Sequence, residues 1–185
     1  MALTPTKQIP LDFIAPDFNL INPMNNSSVT LSDLKSDTAT LIVFMCNHCP
    51  YVIHVLPQLI KIANEYMSKG VSFIAINSND IIRYPEDSPE NMIRLVKEYN
   101  IPFPYLFDES QDVARSYHAE CTPDFNIFNN KMRCVYRGQI DSSRPGNNKS
   151  NDGIDIRKVL DQIINQETIS SAQTPSTGCS IKWKS

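Results

Sequence analysis

Leu41-Ile42-Val43-Phe44-Met45-Cys46-Asn47-His48-Cys49-Pro50 runs from an unbroken apolar segment into a Cys-x-x-Cys and a proline. An apolar run of this length is the pattern of a strand buried on both faces of a sheet. Beyond the cysteines, Val52, Val55, Leu56, Leu59, Ile62, Ala63 and Tyr66 recur at spacings of three and four. That places one apolar stripe on a helix. Pro57 lies inside it and is expected to kink it, because proline removes a backbone donor and crowds the preceding turn. Gly70 is the expected C-cap. Val71-Ser72-Phe73-Ile74-Ala75-Ile76 reads as a second buried strand. Strand, helix and strand of these lengths make a βαβ crossover, so the two strands should pair in parallel.

Upstream, Asn22-Pro23-Met24-Asn25-Asn26-Ser27-Ser28 separates Ile21 from Val29 and reads as a hairpin turn. Ser32 to Lys35 offers at most one helical turn. Downstream, Ser88-Pro89-Glu90 sets an N-cap with proline at the first helical position, and the helix should reach about Tyr99. A short strand at Tyr105-Leu106-Phe107 and a short helix from Ser110 to Tyr117 follow. Asn126-Ile127-Phe128, a turn at Asn129-Asn130, and Met132 to Tyr136 read as a β-hairpin. A last helix spans Ile154 to Ile164. The acidic stretch Asp80 to Glu90 reads as a solvated insertion in a crossover.

The length of 185 residues suits one domain, expected over 1–165, followed by a polar linker and tail over 166–185. Lys plus Arg number 17 against 20 Asp plus Glu. This balance gives no electrostatic reason to expect nucleic acid or an anionic membrane as partner. No apolar run reaches the roughly 18 residues of a spanning helix. The first residues lack the basic-then-apolar order of a signal peptide, so the expected compartment is cytoplasmic. There, cysteines stay reduced unless they perform chemistry. The five cysteines are an odd count with one CxxC, unlike a secreted disulfide framework.

A CxxC between a buried strand and a helix start has a specific chemistry. Unpaired N–H groups and the positive end of the helix dipole stabilise a thiolate, expected here at Cys46. Cys49, placed one turn inside the helix, should reach Cys46 and close a disulfide. His48 is a candidate donor or cation beside the Cys46 sulfur, or a solvated spacer. Structural zinc is the competing use of a CxxC, but it needs further paired ligands. Cys121, Cys134, Cys179, His54 and His118 offer no second CxxC or HxxxH. Pro50 after the second cysteine rules out the haem-attachment motif. His54 reads as surface and Cys134 as a small buried apolar residue. Cys121 sits in a loop expected to approach the CxxC, with core packing as its simpler role.

In this order, the strand, Cys-x-x-Cys-Pro, kinked helix, strand, Thr-Pro, hairpin and final helix resemble the thioredoxin-like superfamily. More narrowly, several blocks resemble its redoxin branch, related to alkyl hydroperoxide reductases and thiol-specific antioxidants. They are Ala15-Pro16-Asp17-Phe18, Cys46 to Val52, Asn77-Ser78-Asn79-Asp80, Tyr84-Pro85-Glu86-Asp87, Cys121-Thr122-Pro123-Asp124-Phe125 and Gly178-Cys179-Ser180-Ile181-Lys182-Trp183. The resemblance implies an α/β thioredoxin-like fold, a central mixed sheet flanked by helices, with an N-terminal β-hairpin extension. It implies that Pro123 is a cis-proline packed against the CxxC. The Thr122 backbone would then pair with an incoming peptide-like substrate.

The chain also departs from the pattern. Thioredoxins proper have Trp before the first cysteine and Gly-Pro between the two, where this chain has Met45 and Asn47-His48. Their buried acid is Thr40 here. Peroxiredoxins place Thr three residues and Pro seven residues before the reactive cysteine. Counted from Cys46, those positions are Val43 and Ala39; counted from Cys49, they are Cys46 and Ile42.

The expected function is therefore thiol–disulfide oxidoreduction through Cys46 and Cys49, acting on a disulfide- or dithiol-containing protein or small thiol. No metal or organic cofactor is expected, because the electrons travel through sulfur. Two alternatives stay open: an antioxidant thiol peroxidase, and a non-enzymatic or zinc-binding thioredoxin-fold module. Gln166 to Thr177 is polar, yet Ile181 and Trp183 follow it. Leaving those two side chains in water would forgo roughly 2–3 kcal/mol each. The tail is thus expected to dock on the domain or a second copy, with Cys179 inert or acting as a third redox thiol near the CxxC.

Overall fold

The computed structural model describes residues 3–185. Its elements are β1 (Leu3–Pro5), β2 (Asn19–Asn22), β3 (Ser27–Thr30), α1 (Leu31–Leu34), β4 (Ala39–Phe44), α2 (Pro50–Met67) and β5 (Val71–Asn77). Then come α3 (Pro89–Tyr99), β6 (Tyr105–Phe107), α4 (Asp112–Ser116), β7 (Cys121–Thr122), β8 (Asp124–Asn129), β9 (Cys134–Gly138), α5 (Ile154–Ile164) and β10 (Thr177–Ser180). No helix among the described residues is long and apolar enough to cross a membrane.

Seven strands form one mixed sheet in the order β3-β2-β6-β5-β4-β8-β9. β4 pairs in parallel with β5, as the crossover requires, and antiparallel with β8. The hairpin β2–β3 is antiparallel and joins the sheet through β6. Because β4 lies between two neighbours and under helices on both faces, all six of its residues are buried. Alternation along the strand sends Leu41 and Val43 to the core shared with α2 and α5, and Ile42 and Phe44 to the other core.

Several boundaries follow from single residues. The Ser88 hydroxyl accepts from Asn91 N and Pro89 opens α3. The turn after β8 is longer than expected, with β9 starting at Cys134. Asn129 Oδ1 accepts from both Lys131 N and Arg133 N, and Met132 takes a positive φ of 54°. These side-chain bonds hold a wider loop than the Asn129-Asn130 dipeptide alone suggests.

A second sheet has three short strands in the order β1-β10-β7. The tail supplies its middle strand, with Cys179 opposite both Leu3 and Thr122. Ile181 is buried in the core, and Arg115 stacks on Trp183 at 4.4 Å. The tail therefore docks on its own domain.

Candidate redox site

β4 delivers Met45 and Cys46 to the end of the sheet, and α2 begins four residues later. The helix starts at Pro50 with Cys49 as its N-cap, extended at φ −70° and ψ 122°. Pro50 causes this directly. Proline suits the first helical position, where no N–H is needed, and it excludes the residue before it from helical geometry. Cys49, expected one turn inside the helix, is thus the residue at the helix start, and Cys46 lies before it.

Cys46 and Cys49 are both buried thiols. Cys46 Sγ lies 3.4 Å from Thr122 Oγ1, and Cys49 Sγ donates to the Thr122 carbonyl at 3.2 Å. The Thr122–Pro123 peptide is cis. Cys179 Sγ is 2.9 Å from Cys49 Sγ. Cys46, Cys49, Thr122, Pro123 and Cys179 therefore meet at one place. Cys121 does not join them. Neighbouring side chains on a strand point to opposite faces, and its sulfur faces Thr6 Oγ1 at 3.7 Å. The edge of β7 is not open either: β10 pairs along it, where an incoming peptide was expected.

The thiols differ in acidity. Cys49 is drawn down to about 5, first by the Cys46 thiol beside it, then by the Cys179 thiol and the Val52 amide, with burial opposing. The Thr122 carbonyl, which accepts from the protonated sulfur, also works against the thiolate. Cys46 is pushed well up, first by bonding to Cys49, then by burial and the Asp87 carboxylate. The helix amides act where the helix begins, which favours negative charge at Cys49; the expectation from the sequence placed the thiolate at Cys46.

The acidic stretch expected to be solvated supplies the other wall. Asp87 is fully buried. Its Oδ1 accepts from Asn47 N at 2.8 Å and its Oδ2 from Asn79 Nδ2 at 2.7 Å, while its backbone carbonyl accepts from Asn77 Nδ2. His48 Nδ1 approaches Asp87 Oδ2 to 2.9 Å without hydrogen-bond geometry. Its ring stacks on Tyr84 with centroids 5.9 Å apart. The Tyr105 hydroxyl donates to Asn47 Oδ1 and Met45 O. The turn and Asn-rich loop therefore hold the residues between the two cysteines. Their signal in the sequence was the pair of blocks Asn77-Ser78-Asn79-Asp80 and Tyr84-Pro85-Glu86-Asp87, whose charge reads as exposure. Thr40, in the place of the thioredoxin acid, is buried and accepts from Ser36 N.

Cys46, His48 and Asp87 each present a ligand atom within 4.8 Å of the others. Three donors are one short of the tetrahedral four of structural zinc, and both Asp87 oxygens already accept amide protons. His54, expected at the surface, is half-buried with Nε2 3.0 Å from Ser143 Oγ. Cys134 is buried at 3.4 Å from the Tyr136 carbonyl and takes no part in the site.

A central mixed sheet, with a CxxC at the strand–helix junction facing a cis-Pro loop, defines a thioredoxin-like protein. Residues 12–153 match the family model described as Redoxin, and the chain belongs to that family. An uncharacterized conserved protein from Geobacillus kaustophilus is 53% identical, with a TM-score of 0.97 over 100% of this chain and 97% of that one. The thioredoxin domain of a thiol-disulfide oxidoreductase from Bacteroides vulgatus shares the fold at 18% identity, with a TM-score of 0.64 over 83% of this chain and 99% of that one. Among curated proteins, the thiol-disulfide oxidoreductase ResA of Halalkalibacterium halodurans is 26% identical over 110 residues, 60% of this chain. The chain matches 58% of that relative's length.

Proposed function

We propose that the protein is a thiol–disulfide oxidoreductase whose working pair is Cys46 and Cys49. The observation that carries this reading is the meeting of both sulfurs with Thr122, beside the cis peptide, at the start of α2. Similarity to proteins named as thiol-disulfide oxidoreductases supports it. In the reducing direction, Cys46 attacks one sulfur of a substrate disulfide, and the other substrate sulfur leaves as a thiolate. The Cys46 proton passes to His48 and then to that leaving group. Cys49, the more acidic of the two, attacks Cys46 Sγ in the mixed disulfide and expels the second substrate thiolate. Two electrons move from the dithiol to the substrate, and a Cys46–Cys49 disulfide remains.

His48 is partly exposed whereas β10 covers the Thr122 edge. Substrate therefore approaches Cys46 from the His48 side. Its class is a protein or small molecule bearing an accessible disulfide, and the proposal includes a cytoplasmic setting. Peroxide chemistry is the weaker reading: the β2–β3 hairpin is of the redoxin type, but Ala39 and Val43 stand in β4 where peroxidases carry Pro and Thr.

Turnover of a protein disulfide is the test. Cys46→Ser should abolish it, and Cys49→Ser should abolish turnover while accumulating a mixed disulfide at Cys46. Full activity in both variants would overturn the reading.

A further inference from the structure

We propose that Cys179 is a third redox thiol, to which the disulfide of the CxxC pair is passed by exchange at Cys49. This rests on the function proposed above and extends it.

The geometry points to this step. At 2.9 Å, the Cys49 and Cys179 sulfurs need to close by only about 0.9 Å to reach a bond of about 2.05 Å. Cys179 is held there by backbone on both sides, because β10 is the middle strand between β1 and β7. The register is enforced next door. A Cβ on Gly178 would lie 1.9 Å from the Thr122 carbonyl oxygen, so only glycine permits this approach. The other two cysteines outside the CxxC are equally buried, but they face a hydroxyl and a carbonyl, not a sulfur. The tail strand occupies the edge of β7 that the resemblance assigns to an incoming peptide. It thus brings a thiol to the pair as a substrate would.

The exchange balances within the chain. After a substrate disulfide has oxidised the pair, Cys179 Sγ attacks Cys49 Sγ and the Cys46–Cys49 bond breaks. Cys46 leaves as a thiolate and takes up the proton given up by Cys179, with no net transfer of electrons. While Cys49 is a thiolate, the Cys179 thiol is held up to about 12, mainly by burial and then by Cys49 itself. Formation of the Cys46–Cys49 disulfide removes the Cys49 charge, whereas the lowering effect of Lys182 stays. Oxidation of the pair therefore lifts the part of this restraint that Cys49 imposes, while burial continues to hold the thiol up. The product has Cys46 reduced and Cys49 held by Cys179.

The test uses the full chain, oxidised glutathione, acid quenching, alkylation and peptide mapping. In Cys46→Ala, Cys49 and Cys179 should both lose alkylation and appear as one linked peptide in most molecules. In the wild type, a fraction should carry the Cys49–Cys179 link with Cys46 alkylated. Full alkylation of Cys179 in both proteins would overturn the inference. Cys179→Ser separates the two levels. A Cys46–Cys49 link forming there, alongside a fully alkylated Cys179 in the other proteins, would sink the relay and leave the proposed function standing. Absence of that link would sink both.

Discussion

Two buried polar centres flank the loop from Cys121 to Asp124, and they handle burial in opposite ways. At one, the Arg137 guanidinium is 1% exposed and uses all five N–H groups. Nε donates to Lys7 O, Nη1 to Tyr117 O and Asn126 Oδ1, and Nη2 to His118 O and to Asp124 Oδ2 at 3.3 Å. Every donor has an acceptor, so the centre has one arrangement of protons and holds the loop rigidly from behind. At the other, three thiols and one carbonyl share fewer protons than there are acceptors. A satisfied centre makes a support; an under-determined one suits the chemistry proposed above.

Breaking the support should have the largest effect. Arg137→Met leaves the Asp124 carboxylate buried without its cation and should cost about 3–5 kcal/mol in urea unfolding. Adding Asp124→Asn should recover part of that loss. A cost under about 1 kcal/mol for the single variant would show that the pair is not what holds the loop.

A smaller loss is expected where the two centres meet the tail. Gly178→Ala drives a methyl group into the Thr122 backbone and should destabilise by roughly 1–3 kcal/mol, as overpacking does. Because the clash is with backbone, β10 must move and the Cys49–Cys179 contact should lengthen. Unchanged stability would mean that β10 is not seated as described.

The gentlest probe is pH, and the two centres respond with opposite sign. Burial raises Asp124 from 3.8 to about 6, so the folded state binds the proton more tightly. Through this group, stability falls as pH rises from about 4 to 6. Cys49 is lowered from 9.0 to about 5, so its contribution grows as pH rises from about 5 to 9 and is lost as pH falls through 5. Above 9, Cys46 and Cys179, both held up, make unfolding easier. Urea titrations of the reduced protein should therefore show a rise toward pH 9 that Cys49→Ser flattens. Asp124→Asn should remove the low-pH slope alone. A rise that survives Cys49→Ser would assign it elsewhere.

The contrast also separates what could be read in the sequence from what could not. Strongly periodic or uniformly apolar segments, such as Leu41 to Met45 and Val52 to Tyr66, announced β4, α2 and the crossover, because burial on one or both faces sets their pattern. Ser88-Pro89 announced the start of α3. Pro50 carried the same kind of information about α2, and overlooking it misplaced Cys49 by a turn. Asp87 and Arg137 were illegible because a charge in a polar or alternating stretch reads as solvated. Only their partners, Asn47, Asn79 and His48 for one and Asp124 for the other, reveal burial, and those lie elsewhere in the chain. The pairing of β10 with β7 joins residues more than 50 apart through two to four residues each, too few to show any periodicity. The apolar Ile181 and Trp183 pointed to docking but not to where the strand lands.

The middle position of β10 has a further consequence for solubility. β1 has β10 as its sheet neighbour, and β7 is lined by it on one edge. Removing the last strand would uncover two rows of unpaired N–H and C=O groups, one on each side of the gap. Such exposed edges are templates for pairing between molecules. The tail thus also acts as a cover against self-association, and a shortened chain would be expected to aggregate even where the main sheet remains folded.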